Sequence, residues 1–170
     1  MTAGNRRLFA LDECFPQNIV KVLRDSIPEA ELVCIDEIDP HLRNTEDWKI
    51  LVQLFQDSRP WDGLITNDMG MLQLPKEVAV LCQTKLTLVV AESAGDDPVL
   101  ATGLVLTHLP HICKETSRDR AQVWRLRTTR RPAEDPWKYL REIAEREKQS
   151  AKSLYKRHSI VDLTGRKEDH

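Results

Sequence analysis

Leu8-Phe9-Ala10-Leu11-Asp12-Glu13 is an apolar run of strand length that ends on two carboxylates, and Gly63-Leu64-Ile65-Thr66-Asn67-Asp68 repeats the device. A short continuous apolar run bounded by a polar turn reads as a strand buried on both faces, as in a parallel sheet. Ligands of open α/β sheets bind outside the carboxyl ends of the strands, so both acids stand where a site would form. A third acidic pair, Glu46-Asp47, opens a helix-like segment. Carboxylates gathered at one edge repel one another unless a cation lies among them. Hard oxygen donors suit Mg²⁺ or Mn²⁺, the ions of phosphoryl chemistry.

Outward from these runs, strand-like and helix-like segments alternate. Pro16 opens a helix carrying Ile19, Val20, Leu23 and Ile27 at helical spacing, and Glu31–Ile35 is a second strand. Residues 36–44 read as a polar loop around Pro40. The next helix presents Trp48, Leu51, Val52 and Phe55, capped by Asn44 or Thr45. A helix over 75–82 and a strand over 85–91 follow. Asp97-Pro98 has the form of a helix cap and first turn, and that helix is expected to meet its end at Pro110. Residues 122–127 read as an edge strand, and Asp135-Pro136 starts a helix running to about Arg157. The last dozen residues are expected to be mobile. This order predicts an α/β fold: a three-layer α/β/α sandwich around a mostly parallel sheet.

The 170 residues suit one domain with a real core, and 41% hydrophobic content is enough to fold. The net charge of −2 conceals an asymmetry. Residues 1–110 hold 9 Lys/Arg against 17 Asp/Glu, whereas residues 111–170 hold 16 against 10. An acidic early part and a basic late part can pair a metal site with a polyanion-binding surface. Cys14, Cys34, Cys82 and Cys113 form no C-x-x-C pair and have apolar neighbours, so reduced, buried thiols are expected. No apolar run approaches the ~20 residues of a membrane span, and the first residues lack a signal-peptide core, so a cytoplasmic protein without membrane contact is expected.

Each acid has a plainer explanation alone. Asp12 or Glu13 can cap the helix behind Pro16, Asp47 suits the positive end of a helix dipole, and Asp68 lies in a polar turn. The three together carry the weight. Asp47 also shares a stripe with Ile50, Leu51 and Leu54, which aims it inward.

Leu11-Asp12-Glu13-Cys14-Phe15-Pro16 resembles the L-D-E-N-x-P opening of the compact PIN-like domains. Asp47-Trp48-Lys49-Ile50-Leu51 is similar to their D-x-x-I-L helix, and Leu64-Ile65-Thr66-Asn67-Asp68 to their strand ending in T-x-D. The resemblance extends over about residues 6–130 and makes 1–131 a PIN-like domain, with 132–170 a helical extension and tail. It implies a ribonuclease with an acidic Mg²⁺ or Mn²⁺ site, RNA as substrate, and, as in many such domains, a toxin held by an antitoxin protein and often self-associated as a homodimer. Carried over by position, Asp12, Asp47 and Asp68 are the catalytic, metal-binding carboxylates. Glu13, Thr66 and Asn67 are supporting residues. Two departures stand out: Cys14 replaces the usual Asn or Asp, and Gly70 stands where the family often has a further Asp.

The late arginines 118, 120, 125, 127, 130 and 131 offer a grip on phosphate, since the guanidinium fork is planar and always charged. Arg125 and Arg127 alternate with Trp124 and Leu126, so they share one face and are assigned to phosphate binding. Charge guarding an edge strand explains them equally well. Two other functions fit less of the sequence. A non-catalytic PIN-like interaction module would account for Gly70 and the charged extension. A receiver-like phosphoacceptor would use Asp12-Glu13 and Asp68 but leaves Asp47 without a role, places Thr87 poorly and lacks a closing Lys-Pro.

Overall fold

The computed structural model describes residues 6–13 and 15–165. Its strands are β1 (Arg7–Leu11), β2 (Ala30–Cys34), β3 (Gly63–Thr66), β4 (Thr87–Val90) and β5 (Gln122–Arg125). Its helices are α1 (Gln17–Ser26), α2 (Ile35–Ile38), α3 (Asp47–Gln56), α4 (Pro75–Cys82), α5 (Pro98–Glu115), α6 (Pro136–Arg146), α7 (Ala151–Arg157) and α8 (Ile160–Gly165). All five strands pair in parallel, in the order β2-β1-β3-β4-β5. The chain winds outward from β1 to β2, then returns past β1 to β3. The winding direction therefore switches between β1 and β3, where a doubly wound sheet opens its ligand crevice.

Side-chain alternation splits the core between the two faces of this sheet. Leu8, Ala10, Leu64, Leu88 and Val123 pack under α3, α4, α6 and α7. Phe9, Leu11, Ile65, Val89 and Trp124 pack under α1 and α5. The result is an α/β/α sandwich. Gly63 is demanded by the spacing of β3 and β4, because a Cβ there would lie 1.8 Å from the carbonyl oxygen of Thr87.

The N-terminal edge of the sheet is closed by charge. Asp62 is buried and accepts hydrogen bonds from the Leu8 amide (2.8 Å), Arg7 Nη1 (3.0 Å), and Arg118 Nε and Nη2 (2.7 and 2.9 Å). Burial alone would raise the Asp62 carboxyl, but the Arg118, Leu8 and Arg7 donors hold it below its ordinary value. Arg118 is thus a strut between the last connection and β3.

Several local expectations need correction. Residues 36–44 hold α2 and a 3-10 turn at Pro40–Leu42, rather than only a loop. Glu37 turns back to accept from the Cys34 amide (2.8 Å), and Ile35 and Leu42 are buried, which rewards local coiling. Neither Asn44 nor Thr45 caps α3; Glu46 precedes its first residue and Asn44 sits at φ +58°. Helix α5 does not end at Pro110 but runs on to Glu115, because Leu109, Ile112 and Cys113 stay in the core. Their burial offsets the ~3 kcal/mol cost of an interior proline. The long helix from Pro136 breaks into α6 and α7 where Lys148 takes φ +53° and Ser150 accepts from the Ser153 amide (3.0 Å). Residues 160–165 form α8 with Ile160 buried, so only 166–170 of the tail lie outside the described residues. Cys34 and Cys113 are buried and, like Cys82, free; Cys14 lies outside the described residues.

Helices α6–α8 pack on their own domain. Tyr139, Leu140, Ile143, Leu154 and Ile160 join the core that α3 and α4 cover. Trp137 stacks on Tyr155 at 5.0 Å, and Gln83 in turn binds the His158 carbonyl and the Ile160 amide. Leu140 is fully buried, so Leu140→Ala should lower unfolding free energy by about 2–5 kcal/mol in urea denaturation. An unchanged midpoint would mean that the helices after residue 135 contribute nothing to the core.

Candidate functional site

The crevice at the β1/β3 switch point is built around one hydroxyl. The Asp12 amide donates to the Ile65 carbonyl (3.0 Å), carrying the β1–β3 pairing one residue past the strand. Thr66 closes β3 and is fully buried. Its Oγ1 donates to Asp12 Oδ2 (2.7 Å) and accepts from the Asp68 amide (3.0 Å). The other oxygen of Asp12 accepts from the Glu13 amide (2.7 Å). Asp68 Oδ1 accepts from the Gly70 amide (2.7 Å). A Cβ at residue 70 would lie 2.8 Å from that oxygen, so glycine there gives the Asp68 carboxylate its room. Asn67 Nδ2 donates to the Gly95 carbonyl (3.0 Å), tying this turn to the loop before α5.

Asp12, Glu13, Asn67, Asp68, Glu92 and Asp96 line an open cleft of about 750 Å³. Asp47 is not on its wall but belongs to the same field. The Asp47 carboxyl is pushed up to about 6, first by burial and then by the charges of Asp12, Asp68, Glu77 and Glu13. Burial also raises Asp12, eased by its bonds from Thr66 and Glu13 and reinforced by the Glu13 and Asp68 charges. The sequence-predicted residues Asp12, Glu13, Thr66, Asn67 and Asp68 therefore meet at one edge, with Asp47 half-buried behind them. Among the described residues no three His, Cys, Asp or Glu side chains stand close enough to hold one metal ion between them. Asp12 and Asp68 are the two cleft acids that Thr66 joins. Such a pair suits Mg²⁺, which keeps several waters and takes one or two carboxylates plus substrate phosphate oxygens.

One cleft residue was not singled out in the sequence. Glu92 follows β4 as Asp12 follows β1, and the same logic of an acid at a strand end applies to it. It differs in having partners. Arg125 and Arg127 both clamp it, with Arg125 Nε 3.0 Å from Oε2 and Arg127 Nη2 2.7 Å from Oε1. These arginines, with burial opposing them, hold the Glu92 carboxyl down at about 2. Arg125 and Arg127 do share one face, as expected, but their forks are committed to a carboxylate of this chain.

Compared with family models, with curated proteins and with solved structures, the chain matches none. Among the described residues no helix is long and apolar enough to cross a membrane.

The raised Asp47 carboxyl makes stability pH-dependent with a definite sign. The folded state holds this proton more tightly than the unfolded chain, so stability falls as pH rises from about 4 to about 6. The cost is complete above that window and absent below it. Asp47→Asn should therefore stabilise the protein at about pH 8 by on the order of 1–2 kcal/mol, allowing for solvent screening, and by nothing near pH 3. Urea titrations at both pH values check this; an equal effect at both would mean that charge is not the cause.

Proposed function

We propose that this protein is a divalent-metal-dependent phosphodiesterase acting on RNA. The observation that carries the reading is the open cleft at the β1/β3 switch point, where Asp12 and Asp68 are oriented by one buried hydroxyl and no cationic side chain pairs with either among the described residues. Unneutralised acids at the ligand edge of a doubly wound sheet are an expensive arrangement unless a cation uses them. The resemblance of this motif set to PIN-like domains supports the same chemistry: it implies Mg²⁺ or Mn²⁺ at Asp12, Asp47 and Asp68, of which Asp12 and Asp68 line the cleft.

When bound, such an ion supplies charge neutralisation at phosphate oxygens and a more acidic water. The chain's own residues do the rest. Thr66 fixes the Asp12 carboxylate and the Asp68 backbone together, so the donors are preorganised by a β-strand end rather than a free loop. Gly70 keeps Asp68 unobstructed. Asp47 stands off the cleft wall, and its raised carboxyl reports the negative field that Asp12, Asp68, Glu77 and Glu13 add to its burial.

A second reading is favoured by one observation. The strand order β2-β1-β3-β4-β5 is also that of receiver-type sheets, in which an acid after β3 accepts a phosphoryl group. Against it, Thr87 opens β4 and so lies at the opposite end of the strand from the cleft, and β5 delivers clamped arginines.

Purified protein should cut single-stranded RNA with Mn²⁺ or Mg²⁺ and stop when chelator is added. Asp12→Asn and Asp68→Asn should each slow cleavage by about 10²-fold or more while leaving the fold intact. Cleavage by both variants at the wild-type rate would place the site elsewhere. Metal-dependent labelling of Asp68 by a small phosphoryl donor, with no RNA cleavage, would select the second reading.

A further inference from the structure

Arg125 and Arg127, which clamp Glu92 on the wall of the acidic cleft, also line a basic pocket of about 180 Å³ together with Arg131, Glu134 and Lys138. Each oxygen of Glu92 takes one donor from Arg125 and one from Arg127. Two guanidinium forks closing on one planar anion is the geometry that arginine pairs offer to phosphate.

Pinning the edge strand would need only one arginine per carboxylate. Here the positive charge exceeds that need. Glu134 is already served by Lys138, by the Tyr139 hydroxyl (2.9 Å) and by Arg125 at 3.9 Å. Four cations, Arg125, Arg127, Arg131 and Lys138, thus face two carboxylates, Glu92 and Glu134. Arg131 is exposed and makes no hydrogen bond or ion pair among the described residues. The cavity has room for a phosphate group with a few waters at ~30 Å³ each. Strands β3 and β5 are two positions apart in the sheet, so the Asp68 turn and the Arg125 fork are separated by roughly 10 Å across it. A polynucleotide strand spans that in about three nucleotides at helical spacing, and in fewer when extended.

We propose that the Arg125/Arg127/Arg131/Lys138 pocket is a phosphate subsite for an RNA strand lying across the C-terminal edge of the sheet, and that Glu92 is its built-in counter-ion. The incoming phosphate takes over donors that Glu92 holds in the free protein, and Glu92 turns toward the cleft, where it adds a carboxylate beside Asp12 and Asp68. The subsite deepens the RNA reading above and rests on it for the identity of the strand. No covalent bond is made or broken in this exchange; hydrogen bonds to Glu92 are replaced by hydrogen bonds to phosphate.

The test is equilibrium binding of a short single-stranded RNA to the full chain in chelator, where neither metal nor cleavage contributes. Arg131→Gln, an exposed change that disturbs no partner, should weaken RNA binding roughly three- to fivefold and lower the slope of log affinity against log salt by about 0.7. Glu92→Gln, which weakens the competitor, should tighten binding by roughly threefold or more. If Glu92→Gln proves unfolded by circular dichroism, Arg131→Gln carries the decision alone. An Arg131→Gln protein with wild-type affinity and salt slope overturns the proposal, as does a folded Glu92→Gln protein that binds RNA no better. Inorganic phosphate, titrated separately, should bind at least about tenfold more weakly than the RNA. Equal affinity would make the pocket a free-anion site and remove the strand assignment. Loss of metal-dependent cleavage with this binding pattern intact would sink the nuclease reading and leave the subsite standing.

Discussion

The Thr66 hydroxyl is the interaction on which the candidate site depends. It lies fully buried at the end of β3, donates to the acid that ends β1, and accepts from the amide of the acid that follows β3. Strand pairing at the sheet centre sets where that hydroxyl stands, because Leu11 pairs with Ile65 and the Asp12 amide extends the ladder. A buried, fully engaged hydroxyl has one geometry, whereas two carboxylates on loops alone would have many. The spacing of β3 and β4, set by Gly63, holds the same strand from the other side.

The two edges of the sheet carry acid in opposite ways. At the N-terminal edge Asp62 is buried but wrapped by Arg7, Arg118 and the Leu8 amide, and its carboxyl is held low. At the C-terminal edge burial raises both Asp12 and Asp47, reinforced at Asp12 by the Glu13 and Asp68 charges and at Asp47 by those of Asp12, Asp68, Glu77 and Glu13. The first arrangement is a structural clasp, whose loss of one partner would strand a buried charge. The second stores repulsion that a bound cation would relieve. Glu92 stands between the two types: it lines the acidic cleft yet is clamped by arginines. That position is why the basic half of the chain reaches the acidic half at this residue.

Much of the fold was legible because apolar runs ending on polar turns fix strands, and Asp97-Pro98 and Asp135-Pro136 fix helix starts with both capping oxygen and preset φ. Asp12 and Asp68 were readable for the same reason, being acids at strand ends, whereas Thr66 was picked out only through the resemblance to PIN-like domains. Glu92 carries that signal too, but the next residues Ser93-Ala94-Gly95 blur the strand end, and its arginine partners lie more than thirty residues on. Helix ends were less readable. Pro110 stays inside α5 because buried neighbours outweigh a local preference, and the break after α6 rests on one positive φ at Lys148, which composition does not announce. The late arginines looked like a solvent-facing grip, yet Arg118 and Arg125 are partners of early acids. Long-range pairing of this kind leaves no periodic mark in a sequence.

The central claim is that the carboxylates organised by Thr66 hold a divalent cation. Electron paramagnetic resonance of Mn²⁺ measures this directly, since the free-ion signal falls as the ion binds. Wild-type protein should remove Mn²⁺ from solution at a single class of site. Thr66→Val, which keeps the side-chain shape but frees Asp12 from its donor, should weaken that binding by about 10- to 100-fold. Mn²⁺ left free by the wild type at millimolar concentration, or bound equally by Thr66→Val and by Asp12→Asn, would contradict the account.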